Sequence, residues 1–304
     1  MRERQYYYKA AYEKALLAAR SNGAVLIVGE TGVGKEVLAR FIHERPVRSE
    51  SAFVPVNCAS ISSTLFESEL FGHTKGAYTG ATESGKGLVE TADHGTLFLD
   101  EVSEIPTNLQ VKLLRALETK EFYRVGDPAA KKVDFRLICA SNRPLAELSD
   151  GQFLRKDFLY RINTFIIEIP PLREQKEMIP ELAAYFLREN MSQAKFSKEA
   201  FELLLCYHFP GNIRELRNAV DYAITAAGEG ASIINVEHLP NTLLEHCGFV
   251  NRKGAAKLKD TWACFARAYI SYILNEHDGD VDRTAEELGV SRATIYRAIK
   301  KEAK

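Results

Sequence analysis

Apolar residues along this chain fall into two kinds of run. Short unbroken stretches, "AVLIV" (24–28), "AFVPVN" (52–57), "GTLFLD" (95–100), "FRLICASN" (135–142) and "TFIIEIP" (164–170), have the continuous hydrophobicity of strands covered on both faces. Between them apolar positions recur at helical spacing. The stretch 4–20 carries Tyr8, Tyr12, Ala15, Leu16 and Ala19 on one stripe, an amphipathic helix follows from Lys35, and "IPTNLQVKLLRALET" (105–119) reads the same way. Strands alternating with helices predict a parallel sheet in a three-layer α/β domain. After Pro170-Pro171 the period is helical, and 175–245 offers no strand candidate. The organisation expected is an α/β domain over 1–172, an all-helical domain over 173–245, a linker over 246–258 and a helical end over 259–304, broken at "HDGDVD" and "LGVS".

Composition narrows the class. Of 304 residues 46% are hydrophobic and 27% charged, as in globular proteins, and no apolar run reaches the length of a membrane span. The N-terminus lacks the apolar core of a signal peptide. Five dispersed cysteines (Cys58, Cys139, Cys206, Cys247, Cys264) form no C-x-x-C pair, which predicts a reduced, cytoplasmic protein without a cysteine metal site. A formal net charge of -1 requires any nucleic-acid surface to be local.

Two strand ends carry chemistry. "GETGVGKE" (29–36) has the G-x-x-x-x-G-K spacing of a P-loop between a strand and a helix. Gly29, Glu30, Thr31, Gly32, Val33 and Gly34 would wrap backbone N–H groups around phosphates, and Lys35 would reach the β- and γ-phosphates of ATP. Glu36 stands where the general motif has a magnesium-binding Ser or Thr. "TLFLDE" (96–101) then delivers two carboxylates at one strand end: Asp100 to hold Mg²⁺ directly or through water, Glu101 to polarise an attacking water. Asn57 and Asn142 end two further strands and so face the crevice in which parallel sheets bind ligands.

"VNCASISSTLFESELFGHTKGAYTGA", "LQVKLLRALE", "PPLRE" and "FPGNIRELRN", taken with the motifs above, give the chain a specific likeness. It resembles the AAA+ activators of sigma-54 RNA polymerase, the bacterial enhancer-binding proteins, over about 20–225 and again at its end. The resemblance implies an α/β P-loop AAA+ domain, a helical lid and a helix-turn-helix. It implies that Glu36 is normal for the family, that Asn57 restrains Glu101 until the partner is engaged, and that Asn142 senses the γ-phosphate. Arg155 and Arg161 in "LRKDFLYRIN" match the arginine fingers that reach the next subunit's nucleotide, with Lys156 an alternative to Arg155, and Arg214 matches the lid's sensing arginine. Fingers of that kind imply a ring, a hexamer in this family. "GAYTGA" (Gly76, Ala77, Tyr78, Thr79, Gly80, Ala81) matches the family's sigma-54-contacting loop, with tyrosine where most members have phenylalanine. Gln175 and Phe209 depart from the usual arginine and tryptophan.

"DRTAEELGVSRATIYRAIKK" fits a helix-turn-helix, with Thr284, Ala285 and Leu288 supporting the first helix, Ser291 capping the second, and Ile295, Ala298 and Ile299 facing inward. Arg292, Thr294, Arg297 and Lys300 would then face the bases and phosphates of double-stranded DNA. From Leu288 on, five Lys/Arg stand against one Asp/Glu, so basicity concentrates at this helix. The segment resembles the Fis-type domains that end the family. The reading is an ATP-hydrolysing activator that binds upstream DNA and remodels sigma-54 RNA polymerase, without membrane association. Its short lead-in fits a fragment, a short form controlled by a separate protein or one controlled by its expression level, and a native short form lacking an N-terminal regulatory domain and controlled in trans is the reading favoured. Two rivals share parts of the pattern: another DNA-associated AAA+ machine, such as a helicase loader or a transposition ATPase, and a repressor that uses nucleotide only to assemble.

Overall fold

The computed structural model describes residues 9–45, 51–228, 230–246, 270, 273–274, 277 and 279–300. The chain divides after Ile169 into two compact units. In the first, five strands form one all-parallel sheet: β1 (Val25–Val28), β2 (Phe53–Asn57), β3 (Thr96–Asp100), β4 (Arg136–Ser141) and β5 (Phe165–Glu168), in the order β2-β3-β4-β1-β5. Ile27 lies opposite both Ala140 and Ile167, and Leu99 opposite both Val56 and Cys139. β1 and β4 are buried at every residue, whereas the edge strand β2 alternates between buried and more exposed positions. Leu26, Leu99 and Leu137 pack with Phe66, Phe71, Leu113 and Phe158 in one core. Emptying one such buried phenylalanine position costs about 3–5 kcal/mol. The order places β1 beside β4, although their following connections lead to opposite edges of the sheet, so a ligand crevice opens outside their carboxyl ends.

One charged side chain is part of this interior. Arg136 opens β4 and is buried; its guanidinium donates to the Ala18 carbonyl at 2.7 Å and the Ile42 carbonyl at 3.5 Å. These carbonyls end the helices Lys9–Ala19 and Lys35–His43, whose C-termini carry the partial negative charge that a buried cation needs. Beside it, the His43 ring meets the Thr96 hydroxyl at 2.9 Å. Burial holds the His43 pKa below its ordinary value, outweighing the Ser51 backbone and Glu44.

The second unit is mostly helical, with Ile179–Glu189, Lys198–Cys206, Asn212–Ala227 and Asn241–His246 around Leu182, Phe186, Phe201, Phe209 and Leu216. The expected absence of strands over 175–245 is corrected here: Lys195–Phe196 and Ile233–Ile234 pair in parallel, flanked by Lys195 N–H to Ser232 O (3.0 Å) and Ser197 N–H to Ile234 O (2.8 Å). Two residues are too few to leave a periodic signature, and the pairing ties together loops far apart in sequence. The "FPGN" turn is equally specific. Phe209 and Asn212 adopt left-handed backbone, the buried Asn212 side chain accepts from the Leu172 N–H at 2.8 Å, and Glu215 accepts from the Gly211 N–H and the Tyr207 hydroxyl. Toward the end of the chain, Val281–Leu288 and Arg292–Lys300 form a helix-turn-helix pair.

Candidate nucleotide site and partner loop

β1 runs directly into residues 29–34. A Cβ at Gly29 would stand 2.8 Å from the Ile169 carbonyl oxygen, while Gly32 and Gly34 take φ of 82° and 96°. Crowding at the first and backbone hand at the other two therefore require glycine. Val33 is buried, Glu30 half-buried and Thr31 exposed at the crown. Lys35 opens the next helix and is buried. Its Nζ donates to Gly29 O at 2.8 Å and Glu30 O at 3.3 Å, and lies 3.9 Å from Glu101 Oε1. A cation curled into its own loop above a helix N-terminus is the right half of a triphosphate cradle. Glu36 instead turns to Arg40, at 2.8 Å, on the exposed side of the helix.

β3 delivers the acids. Asp100 accepts the N–H of Glu101 at 3.0 Å. Glu101 itself has φ 54° and ψ 52°, a left-handed backbone that costs a non-glycine residue roughly 1–2 kcal/mol. This reversal, followed by the tight turn Val102–Glu104, aims its carboxylate at Lys35 and at the Asn142 N–H, 3.2 Å away. Asn142 thus touches Glu101 through its backbone. Asn57 lies opposite Asp100 in the sheet, yet its side-chain oxygen accepts the Ala59 N–H at 3.0 Å. It caps the turn Cys58–Ser60, a use suited to an asparagine leaving a strand, and the expected Asn57–Glu101 contact is not formed. The Cys58 thiol is pushed up to about 12 by burial and then by the charges of Asp100, Glu101 and Glu104, so it stays protonated. Among the described residues no three His, Cys, Asp or Glu gather around a metal position. The oxygens of Asp100 and Glu101 beside the cradle fit magnesium held together with phosphate oxygens and water.

The arginine segment lies in the same unit. Arg155 precedes the helix Lys156–Ile162 and is exposed; Asp157 grips its guanidinium at 2.8 and 3.1 Å. That carboxylate, through its hydrogen bonds and charge, raises the Arg155 pKa further. Lys156 is exposed beside it. Arg161 donates to Leu117 O at 2.9 Å, in the last turn of the helix Thr107–Thr119. Sequence reasoning missed two residues here. Gln110 is fully buried: its amide N–H₂ donates to Ile105 O and Phe153 O, both at 2.9 Å, and its oxygen accepts the Arg155 N–H at 2.8 Å. Its trace was visible as a polar residue on the buried stripe it shares with Leu113 and Leu117. Arg143, next to Asn142, stacks 3.7 Å from the centre of the Phe153 ring; no spacing in the sequence announces that pair.

The "GAYTGA" segment joins the short antiparallel strands Gly72–His73 and Gly85–Lys86. It folds on itself, with Gly76 N–H to Ala81 O at 2.9 Å and Ala81 N–H to Tyr78 O at 3.0 Å. Gly76 and Gly80 have φ of 81° and 112°, and a Cβ on either would meet nothing within 4 Å. Tyr78, Thr79 and Gly80 are exposed, Ala77 is half-buried and Ala81 buried. The Tyr78 ring stands edge-on to His73, 5.2 Å between centres, and His73 is held by the Ser68 hydroxyl at 2.8 Å. Below the loop Arg124 clamps Glu90, with contacts of 2.6–3.0 Å. Burial would raise the Glu90 pKa, but Arg124 and Lys131 overcome it and hold the carboxyl below its usual range.

In the second unit Arg214 is exposed in the first turn of Asn212–Ala227. In the terminal pair Asp280 caps the first helix and Gly289 ends it in left-handed backbone. Ala285, Ile295 and Ile270 are buried together, and Thr284 is buried. Ser291 and Thr294 join hydroxyls at 3.0 Å, and Arg292 is paired with Asp282 on the preceding helix. The side chains of Arg297, Ala298, Ile299 and Lys300 lie outside the described residues.

Comparison with known families and structures follows the same division. Residues 1–168 match the sigma-54 interaction domain, 173–253 the AAA+ ATPase lid domain, and 265–301 the bacterial regulatory protein, Fis family. The alginate biosynthesis transcriptional regulatory protein AlgB of Pseudomonas putida is 43% identical over 296 residues, 96% of this chain and 64% of that one. The Nif-specific regulatory protein of Bradyrhizobium diazoefficiens is 47% identical over 229 residues, 74% of this chain and 39% of that one. The chain thus spans less than two thirds of the length of these curated relatives. The crystal structure of NtrX from Brucella abortus in complex with ATP has a TM-score of 0.69 and 29% identity, covering 96% of this chain and 66% of that one. Among the described residues no helix is long and apolar enough to cross a membrane.

Proposed function

This chain belongs to the sigma-54 activator family of AAA+ proteins, with its lid and Fis-type helix-turn-helix, and on that premise we propose that it hydrolyses ATP to remodel sigma-54 RNA polymerase from a closed to an open promoter complex. The observation that carries the reading is the convergence of Lys35 Nζ and the Glu101 carboxylate, 3.9 Å apart, in the unit that also presents the exposed Tyr78–Thr79 tip. Lys35 holds the phosphates, and Glu101 takes a proton from the attacking water. Asn142 holds Glu101 through its N–H and lies beside the γ-phosphate. Magnesium, held with Asp100 directly or through water, neutralises phosphate charge when bound. Asn57, beside Asp100, serves as the restraint on Glu101 once its cap on Ala59 is released.

Arg155 and Arg161 act on the nucleotide of the adjoining subunit, where they stabilise charge in the transition state; this requires release from Asp157 and Leu117 O, and a ring, here a hexamer. Arg214 contacts the nucleotide from the lid. The Gly76–Ala81 loop presses on sigma-54, and Ser291, Arg292, Thr294, Arg297 and Lys300 bind an upstream DNA site. The test is reconstituted transcription on a sigma-54 promoter. ATP-dependent open complexes are expected from the wild type and none from Glu101→Gln. Normal ATP hydrolysis with no activation would leave a AAA+ machine of another kind.

A further inference from the structure

Arg155 stands on a support that reaches back to the carboxylate end of β3. After the left-handed Glu101, the turn Val102–Glu104 leads to Ile105, whose carbonyl accepts from Gln110. The same amide nitrogen donates to Phe153 O, and the amide oxygen takes the Arg155 N–H. One side chain with no solvent exposure therefore uses both its donors and its acceptor to join two segments 48 to 50 residues apart, 105 with 153 and 155. A second grip works on the same segment. Arg143 stacks on the Phe153 ring, and its neighbour Asn142 holds Glu101 through its N–H. Both routes from Glu101 end on residues 153–155.

A surface loop carrying a mobile arginine has no need of a buried amide with all its bonds satisfied. Burying a primary amide is unfavourable unless each donor and acceptor is matched, so these partners are held to one geometry. We infer that Gln110 is a positioning residue for Arg155: it sets the backbone from which that arginine reaches the adjoining subunit, and ties this setting to the Glu101 turn of its own subunit. The inference rests on the trans-acting role proposed above for Arg155.

The prediction separates this role from a general packing role by asking which subunit carries the defect. Gln110→Met keeps the volume and removes all three hydrogen bonds; Gln110→Glu keeps the acceptor and turns a carboxylate oxygen toward two carbonyls. In the full chain both are expected to lower kcat for ATP at least about tenfold while KM stays within about twofold, because the P-loop of the same subunit is untouched. Each variant is then mixed with Glu101→Gln. Rings containing both hold some interfaces with an intact Glu101 facing an intact Arg155 support, about a quarter of them at equal mixing. Activity above the sum of the separate rates is expected, matching a parallel mixture of Arg155→Ala with Glu101→Gln.

A wild-type kcat in both Gln110 variants overturns the inference and leaves the ATPase reading standing. So does a mixture that fails to recover while the Arg155→Ala mixture does. Loss of ATP binding in both variants assigns Gln110 to the fold alone and equally overturns it. Failure of the Arg155→Ala mixture itself would remove the trans role on which the inference rests.

Discussion

The P-loop and the "GAYTGA" loop are both glycine-rich, and their glycines are there for different reasons. In the P-loop, Gly29 has no room for a methyl group, because the Ile169 carbonyl oxygen would be 2.8 Å from it. In the "GAYTGA" loop, Gly76 and Gly80 have open space all round, and only their left-handed backbone asks for glycine. The first loop is shaped from outside by the sheet and encloses the Lys35 ammonium. The second is shaped by its own hydrogen bonds and exposes an aromatic ring. One region is built to hold a ligand in a fixed geometry. The other holds its shape through its own turn hydrogen bonds and leaves its tip exposed.

The largest test of this contrast is on the cradle. Lys35→Ala and Gly29→Ala should each lower ATP hydrolysis by about 100-fold or more, the first by removing charge and the second by displacing the loop. A Gly29→Ala enzyme with normal KM for ATP would break the crowding argument. Next, Tyr78→Ala should abolish open-complex formation while ATP hydrolysis stays within about twofold, since no contact links Tyr78 to Lys35 or Glu101. Full activation by that variant would return the loop to a plain turn. Gly80→Ala should be milder: a methyl group fits, the backbone at φ 112° resists at about 1–2 kcal/mol, and activation should fall severalfold with hydrolysis intact. Tyr78→Phe should retain activation, because the ring and its edge-on contact with His73 remain.

The smallest effect lies at the opposite end of the sheet. His43 is held below its ordinary pKa, so above about pH 6.5 it is neutral in folded and unfolded chains alike and its contribution is intact. As pH falls below that value the unfolded chain takes up a proton that the folded chain refuses, and stability declines until the folded pKa is reached. Urea unfolding as a function of pH should show this loss in the wild type and a flatter profile in His43→Gln.

Much of the α/β unit was legible because strand burial leaves unbroken apolar runs and the P-loop must follow a strand. The central strands emerged where "VLIV", "TLFLD" and "RLICAS" stand. The same reading could not show that Arg136, first in its strand, is buried, since its compensation comes from two helix ends remote in sequence. Nor could it show the two-residue pairing of 195–196 with 233–234. In the site, residue types were legible and geometry was not. Asn57 was placed correctly at a strand end, but which acceptor or donor its amide chooses depends on the turn that follows. Gln110 stands inside the quoted "LQVKLLRALE" but went unremarked, because nothing in the sequence pairs it with Ile105, Phe153 and Arg155.

Glu101 shows how far natural selection and fold stability can pull apart at one position. A sequence optimised only to survive heating would place glycine there, since glycine alone adopts that backbone without strain. Glu101→Gly should therefore melt higher than Glu101→Ala, despite glycine's greater freedom in the unfolded chain, and neither should hydrolyse ATP. A higher melting point for Glu101→Gly than for the wild type would mark this as a residue retained for turnover at the expense of robustness, one that consensus or stability-guided redesign of the chain should leave alone.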